Sequence, residues 1–168
     1  MKFEFSAGGI VYRRERTRKG DSSLKNAKIL VCQHSQHHGW VFPKGLIDKT
    51  KSKVKSQKSK VVRETKEEAA LREVREETGV YGKITKALSP VTYWYKFENE
   101  KIKKTVYYFL MEYASGDIKD HDFEMENVEW LPVDEVEKRL TYKSDKEVWV
   151  EAKEKIRNSN IEIRNKSK

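Results

Sequence analysis

The chain has 168 residues and a mass of 19.9 kDa, a size that a single hydrophobic core can organise. One cysteine, Cys32, excludes an internal disulfide, and no apolar run reaches the roughly 18 residues that span a bilayer. The N-terminus carries no secretory pattern, so we expect a soluble, cytoplasmic protein. The 36 basic and 27 acidic residues give a net charge of +9, which favours a polyanionic partner, either nucleic acid or a phosphorylated small molecule.

The positive charge is concentrated in one segment. Residues 49–63 contain six lysines and Arg63 but no acid, so subtracting these seven charges from +9 leaves +2 for the rest of the chain. The segment has too few apolar residues to offset the entropy of ordering it, and we therefore predict a flexible loop. Residues 64–78 and 112–129 are acidic instead, with net charges of −3 and −6.

Short runs of β-branched and aromatic residues between turn residues predict six strands. They cover residues 6–13, 28–34, 82–89, 91–97, 105–113 and 127–131. Helix-forming runs predict helices over 65–78, 133–140 and 145–156, and residues 158–168 are predicted to be a flexible tail. This order of elements favours an α/β or α+β layered fold. We expect one domain over residues 1–157, with a lysine-rich insertion at about 49–63.

The helix over 65–78 carries signals at both ends. Thr65 and Glu68 have the spacing of a capping box, in which each side chain bonds the other residue's backbone N–H. Gly79 follows the last turn and suits a left-handed C-cap. Within this helix Glu73, Glu76 and Glu77 are spaced i, i+3 and i+4, so their carboxylates share one face. The cluster is either a solvated acidic face or a site for a hard divalent cation such as Mg²⁺.

The spacing around these glutamates resembles the box of the Nudix (MutT-type) hydrolases, G-x5-E-x7-R-E-U-x-E-E-x-G-U with U aliphatic. Glu64 is followed by seven residues and then by Arg72-Glu73-Val74-Arg75-Glu76-Glu77-Thr78-Gly79-Val80, which matches every fixed position from the first glutamate onward. The initial glycine of the box would be Gly45, which lies 19 residues before Glu64 instead of six. The difference is a 13-residue insertion that coincides with the lysine-rich segment. Weaker similarity extends over residues 5–152.

This resemblance implies a fold and a reaction. The fold would be the Nudix α/β/α sandwich, with a mixed β-sheet between helices. The reaction would be Mg²⁺-dependent hydrolysis of a pyrophosphate bond in a nucleoside diphosphate-linked substrate, with Mn²⁺ as a substitute ion. The implied metal ligands are Gly45, Glu64, Glu73, Glu76 and Glu77.

Other catalytic and substrate-binding roles follow from the same resemblance. Glu73 would bind metal or serve as general base, and Arg72 would orient the carboxylates. Glu124 is a further base or ligand, or else a solvated loop acid. Lys44 would contact a phosphate. Gly8 and Gly9 lie in the strand that resembles the family's first substrate-side strand, and Tyr93 and Tyr95 would stack on a base or belong to the core.

The substrate class is less specified than the reaction. Strand and tail patterns look similar to the dinucleoside-polyphosphate-hydrolysing branch, so dinucleoside polyphosphates or nucleoside triphosphates are favoured. An RNA 5′ end is an alternative substrate. A non-catalytic Nudix-fold module that binds nucleotides or RNA is an alternative function, although such modules usually lose box glutamates that this chain retains.

The lysine-rich insertion yields a kinetic prediction. Replacing its six lysines with serine should raise KM more than it lowers kcat, because the positive charges attract the phosphates without taking part in the reaction. Steady-state kinetics at low salt will measure both constants. An unchanged KM would contradict a role for this segment in phosphate capture.

Overall fold

The computed structural model describes residues 1–15, 24–48 and 63–166. The predicted lysine-rich loop therefore lies outside the described residues except for Arg63. The strands are β1 Lys2–Arg14, β2 Ala27–His34, β3 Trp40–Val41, β4 Lys44–Leu46, β5 Val80–Ala87, β6 Val91–Phe97, β7 Glu100–Gly116 and β8 Met125–Pro132. The helices are α1 Lys66–Thr78, α2 Val133–Arg139 and α3 Lys143–Lys166, with short 3₁₀ turns at Leu24–Asn26 and Ile118–Asp120.

All eight of these strands join one mixed sheet. Strand β7 lies at its centre, paired in parallel with β1 along one edge and antiparallel with β5 and β6 along the other. The opposite edge of β1 pairs with β4 near Ala7 and with β2 near Tyr12. Strand β2 also pairs with the short β3 and with β8. The short segment of β3 and β4 therefore crosses from β2 to β1 along this edge of the sheet.

Helices cover both faces of the sheet. One core cluster contains residues of α1, including Ala70 and Val74, packed with Val11 and Met111 of the sheet. The other contains residues of α2 and α3, including the fully buried Trp149. Alternate residues of β1 and β7 enter the two clusters, as the pleat of a strand requires. The predicted α/β layering, with a mixed sheet between helices, is confirmed.

Helix α1 begins and ends as the sequence predicts. Thr65 is its N-cap, and both hydrogen bonds of the capping box with Glu68 are present at 3.0 and 3.1 Å. Gly79 adopts φ 75°, the left-handed conformation that costs a residue without Cβ little. These caps fix the start and end of the helix that carries the glutamate cluster.

Two features differ from the sequence prediction. Strands β3 and β4 were not predicted, because two or three residues are too few to show a period-2 pattern. The last helix was predicted to end at Ile156 and to be followed by a flexible tail, but α3 continues to Lys166. No glycine or proline interrupts that stretch, so nothing in its backbone chemistry stops the helix. Within the described ranges, no helix is both long and apolar enough to cross a membrane.

Candidate active site

A large cavity opens where β4, β6 and helix α1 meet the start of α3. Its volume is about 1220 Å³, above the roughly 300 to 1,000 Å³ of ordinary ligand pockets. Nine of the residues singled out from the sequence line it: Lys44, Gly45, Arg72, Glu73, Glu76, Glu77, Tyr93, Tyr95 and Glu124. The cavity therefore brings the acidic helix face, a lysine and an aromatic strand together.

Arg72 binds three of the glutamates at once. Its guanidinium donates two hydrogen bonds to Glu64, from Nε at 2.8 Å and from Nη2 at 3.0 Å. Its Nη1 donates to Glu73 at 2.7 Å and to Glu76 at 3.1 Å. The Nη2 group also donates to the carbonyl of Leu46 on β4, at 3.0 Å. Arg72 thus joins the helix to the residues on either side of the insertion.

Gly45 and Glu73 are in direct contact. A Cβ atom at position 45 would overlap the Glu73 carboxylate, which would have to move to make room for it. Glu73 is 9% exposed. Burial raises the pKa of its carboxyl, and the hydrogen bond from Arg72 opposes that rise. The 13-residue insertion does not separate the box glycine from its helix.

Glu77 and Lys44 connect helix α1 to strand β4. The Lys44 backbone N–H donates to Glu77 Oε2 at 2.9 Å. Burial raises the pKa of Glu77 well above its ordinary value, and the positive charge of Lys44 opposes this. Burial by itself would lower the pKa of Lys44, but Asp145, with Tyr93 and Glu77, raises it above the ordinary lysine value. Lys44 is therefore held as a cation beside the carboxylates, with 16% of its side chain exposed.

The carboxylates carry more negative charge than their protein partners neutralise. Glu64, Glu73 and Glu76 share the Arg72 guanidinium, and Glu77 lies beside Lys44. The formal charges of these four glutamates and two cations sum to −2, and Glu124 lines the same cavity. Oxygen donors with excess negative charge are the ligands that hard divalent cations prefer. Among the described residues, no three acidic, histidine or cysteine side chains already converge on one metal position. The carboxylate oxygens are chemically suited to a divalent ion. To bind one, the side chains of Glu73 and Glu76 would have to turn away from Arg72.

Glu124 is exposed and belongs to the turn before β8. Its backbone carbonyl accepts from the Ser35 N–H at 2.9 Å, and its own N–H donates to Asp122 at 3.0 Å. These bonds hold the residue at the cavity although its side chain remains exposed to solvent. Its negative charge is one of the influences that raise the pKa of Glu73 and Glu77. The structure therefore groups Glu124 with the box glutamates.

Two groups of aromatic side chains line the cavity. On β6, Tyr93 and Tyr95 lie 6.4 Å apart between ring centroids, and both are partly buried. Tyr95 donates to Glu4 at 2.6 Å, and burial, with that bond, raises the pKa of Tyr95 to about 12. In the second group, His34 and His37 stack with ring centroids 4.3 Å apart. The His37 ring also makes a 2.9 Å hydrogen bond with the Tyr142 hydroxyl.

Asp145 and Lys104 are among the charged cavity residues that were not predicted from the sequence. Asp145, near the start of α3, is 2% exposed; its Oδ1 accepts from the Tyr108 hydroxyl at 3.1 Å and lies 3.7 Å from Lys44 Nζ. Lys104 on β7 also lines the cavity, and burial, together with Lys44, lowers its pKa. An acidic residue in the first turn of a helix is usually explained by its favourable interaction with the helix dipole. Only the tertiary structure therefore shows that Asp145 is a counter-charge for Lys44.

Three predicted residues do not line the cavity. Glu64 is buried behind Arg72, and its Oε2 also accepts from the Asp48 N–H at 2.9 Å. Gly8 is buried beneath the Pro43–Lys44 backbone, which a Cβ would strike. Gly9 packs against Met111 and Val74 and donates to the Pro43 carbonyl at 3.1 Å. Gly8 therefore makes room for the segment that carries Lys44, whereas Gly9 makes room for the side chains of Met111 and Val74.

Comparison with known proteins connects this geometry to one family. The sequence model of the NUDIX domain matches residues 7–152. MutT4 of Mycobacterium tuberculosis is 34% identical over 147 residues, which cover 85% of this chain and 52% of that protein. The 8-oxo-(d)GTP phosphatase of Mycolicibacterium smegmatis is 29% identical, covering 88% of this chain and 41% of that protein. The asymmetrical bis(5′-nucleosyl)-tetraphosphatase of Rattus norvegicus is 29% identical, covering 77% and 80%.

The chain thus spans about half or less of the length of the first two relatives. Among solved structures, the NUDIX domain of Shewanella oneidensis NrtR, crystallised with ADP ribose, matches with a TM-score of 0.62. The two are 19% identical, and the match covers 93% of this chain and 90% of that one. This likeness confirms the predicted α/β/α sandwich.

Proposed function

The chain belongs to the NUDIX family, and on this premise we propose that it hydrolyses a pyrophosphate bond in a nucleotide substrate. NUDIX enzymes generally use divalent metal ions. The observation that carries the proposal is the meeting, in one cavity, of a carboxylate cluster with excess negative charge and the cation Lys44. Such a cavity suits a substrate that is itself anionic and is bound partly through a metal ion.

We propose Mg²⁺ as the ion, with Mn²⁺ as its substitute. The Gly45 carbonyl and the carboxylates of Glu73, Glu76 and Glu77 would hold it. Bound there, the ion would neutralise charge on the phosphate oxygens during displacement. Glu64 would not bind the ion directly. It would hold the Arg72 guanidinium, which in turn positions Glu73 and Glu76.

The chain's own side chains divide the remaining tasks. Lys44 and Lys104, which line the cavity with the glutamates, would bind phosphate oxygens. Glu124 would accept the proton of the attacking water, because its carboxylate is exposed at the cavity whereas Glu73 is tied to Arg72. A Glu124→Gln variant should then lose most of kcat with little change in KM.

A substrate with two ring systems fits the cavity best. Tyr93 and Tyr95 form one set of rings that lines it, and His34, His37 and Tyr142 form a second. A dinucleoside polyphosphate would place a base against each set and its phosphates between them, near Lys44. The tetraphosphatase among the relatives supports this class. The 8-oxo-(d)GTP phosphatase supports a second candidate, a nucleoside triphosphate, which would occupy one set of rings.

A substrate panel tests the proposal. Dinucleoside tetraphosphates, nucleoside triphosphates including an 8-oxo form, nucleotide sugars and capped RNA are incubated with the full chain and Mg²⁺, and the products are resolved by ion-exchange chromatography. We expect hydrolysis that EDTA abolishes, with kcat/KM about tenfold or more higher for the dinucleoside substrate. Nucleotide binding without hydrolysis of any substrate would instead identify a non-catalytic module.

Asp145→Asn should weaken substrate binding and stability together. The substitution keeps the shape of the side chain but leaves Lys44, which is largely buried, without its nearest counter-charge. Breaking a buried pair in this way typically costs about 3 kcal/mol of the free energy of unfolding. Urea denaturation will measure that loss, and kinetics should show KM rising more than kcat falls. An Asp134→Asn variant in the exposed first turn of α2 is the matched control and should change neither.

A further inference from the structure

The sheet has an exposed aromatic patch on the face that α1 covers only in part, across the sheet from Tyr93 and Tyr95. Phe3 on β1 and Trp94 on β6 both pair in register with Lys103 on the intervening β7. The three side chains therefore form one row across three adjacent strands, an aromatic ring on each side of an ammonium. Phe3 is 50% exposed and Trp94 is 47% exposed. Neighbouring strands lie about 4.8 Å apart, so the two ring positions are about 10 Å apart.

This row is separate from the active site. Successive side chains on β6 point to opposite faces, so Trp94 lies across the sheet from Tyr93 and Tyr95, which line the cavity. Helix α1 covers the same face only further along, above Val11 and Met111. Phe5, 46% exposed, extends the uncovered area along β1.

Lysines surround the rings on this face. Lys101 Nζ lies 4.5 Å from the centre of the Trp94 ring, and Lys103 Nζ lies 5.5 Å from it. Lys96 is directly opposite Lys101 in the adjoining row. At the edge nearest α1, Lys66 Nζ lies 4.3 Å from the Tyr107 ring. The face is therefore cationic as well as aromatic.

We propose that this face, formed by Phe3, Phe5, Trp94, Lys101 and Lys103, binds single-stranded nucleic acid. Two bases would stack on the Phe3 and Trp94 rings, and the phosphate between them would meet Lys103. Stacking on a ring is stronger than an exposed cation–π contact, so a base displaces the lysine from Trp94, and the freed ammonium reaches the backbone. Only a single strand offers unpaired bases to an open sheet.

The charge on the face argues against its other occupants. A second copy of the chain would set lysines against lysines, which costs binding energy. The alternation of ring, ammonium and ring offers each of two bases a stacking surface and offers the phosphate between them a cation. A lipid surface offers no such repeat, and the experiment includes it as a contradicting outcome.

Fluorescence anisotropy tests the proposal with a labelled twelve-residue oligouridylate that has hydroxyl ends and therefore no anhydride to cleave. EDTA is present, so binding does not depend on the metal-requiring site. Trp94→Ala should weaken binding about tenfold, in line with the loss of one stacked base, and Trp94→Phe should restore most of it. Tyr81→Ala, at an exposed ring that also faces a cation, Arg75, is the matched control and should bind like wild type.

The lysines are tested through salt dependence. A Lys101→Ser/Lys103→Ser variant should lower the slope of log Kd against log salt by about 1.4, the value expected for two phosphate contacts with a single strand. A Lys83→Ser/Lys138→Ser variant makes the same change in net charge at exposed positions elsewhere and should leave the slope unchanged. A deoxythymidylate of equal length shows whether the 2′-hydroxyl contributes, and binding of either strand through Trp94 supports the proposal.

Three results would overturn it. Wild-type protein that binds neither oligonucleotide, or a Trp94→Ala variant with wild-type affinity, would remove the face from nucleic-acid binding. Sedimentation with phosphatidylserine vesicles that Trp94→Ala abolishes, without oligonucleotide binding, would assign the face to a membrane. A dimer in light scattering that Trp94→Ala dissociates would assign it to self-association. Small-nucleotide hydrolysis should stay within twofold of wild type in every variant.

Discussion

Replacing Glu76 with glutamine is expected to lower kcat on the order of a hundredfold or more while leaving the fold intact. In the structure Glu76 is half exposed and meets Arg72 at 3.1 Å, a hydrogen bond that the amide oxygen of glutamine can still accept. What the variant loses is a charged ligand for the proposed Mg²⁺. Charge stabilisation by a metal ion is worth several kcal/mol, and about 1.4 kcal/mol corresponds to tenfold in rate.

The measurement pairs initial rates over a range of Mg²⁺ with urea denaturation of the metal-free protein. The free energy of unfolding should stay within about 0.5 kcal/mol of wild type, as for most exposed positions. Glu67→Gln, at an exposed glutamate in the first turn of the same helix, is the matched control and should retain activity. Near-normal turnover in folded Glu76→Gln would remove this residue from the metal site.

Replacing Arg72 with methionine is expected to cost both stability and activity. The Glu64 side chain is fully buried and receives two hydrogen bonds from Arg72. Removing one partner of such a buried pair typically lowers the free energy of unfolding by about 3 kcal/mol. The rate should fall as well, because Glu73 and Glu76 lose the guanidinium that orients them. Arg75→Met, at an exposed arginine of the same helix, should cost less than about 1 kcal/mol.

A double-mutant cycle separates the two effects. Adding Glu64→Gln to Arg72→Met removes the unpaired buried charge, so the double variant should be less destabilised than the sum of the single variants. Its activity should stay low, since the orientation of Glu73 and Glu76 is not restored. Additive losses of stability would show that Glu64 and Arg72 act independently.

Helix α1 and the shared face of its glutamates could be predicted because their signals are local. Thr65, Glu68 and Gly79 mark the ends of the helix, and the spacing of the glutamates places them on one face. The sequence could not show that Gly45 lies against Glu73 across an insertion, since that contact depends on the pairing of β4 with β1. Whether Gly45 and these glutamates bind metal is still a prediction.

The rest of the site depends on tertiary structure. Asp145 becomes a counter-charge for Lys44 only because α3 packs over the face that carries Tyr108. Strand β7 begins with Glu100 and three lysines among its first five residues, a composition with weak strand preference, yet pairing with β1 and β6 extends it. The strand propensity of single residues therefore underestimates the length of a strand that is paired on both edges.

The parallel pairing of β1 with β7 also bears on how the chain folds. Ala7 pairs with Tyr107, 100 residues further along the chain, so this contact closes a very long loop before it gains any stabilisation. The 13 inserted residues lie inside that loop, and they raise its closure cost by about (3/2)RT ln(100/87), roughly 0.1 kcal/mol. The folding rate is therefore almost insensitive to the insertion. Changing the length of this segment should therefore alter the folding rate far less than a substitution in β1 or β7.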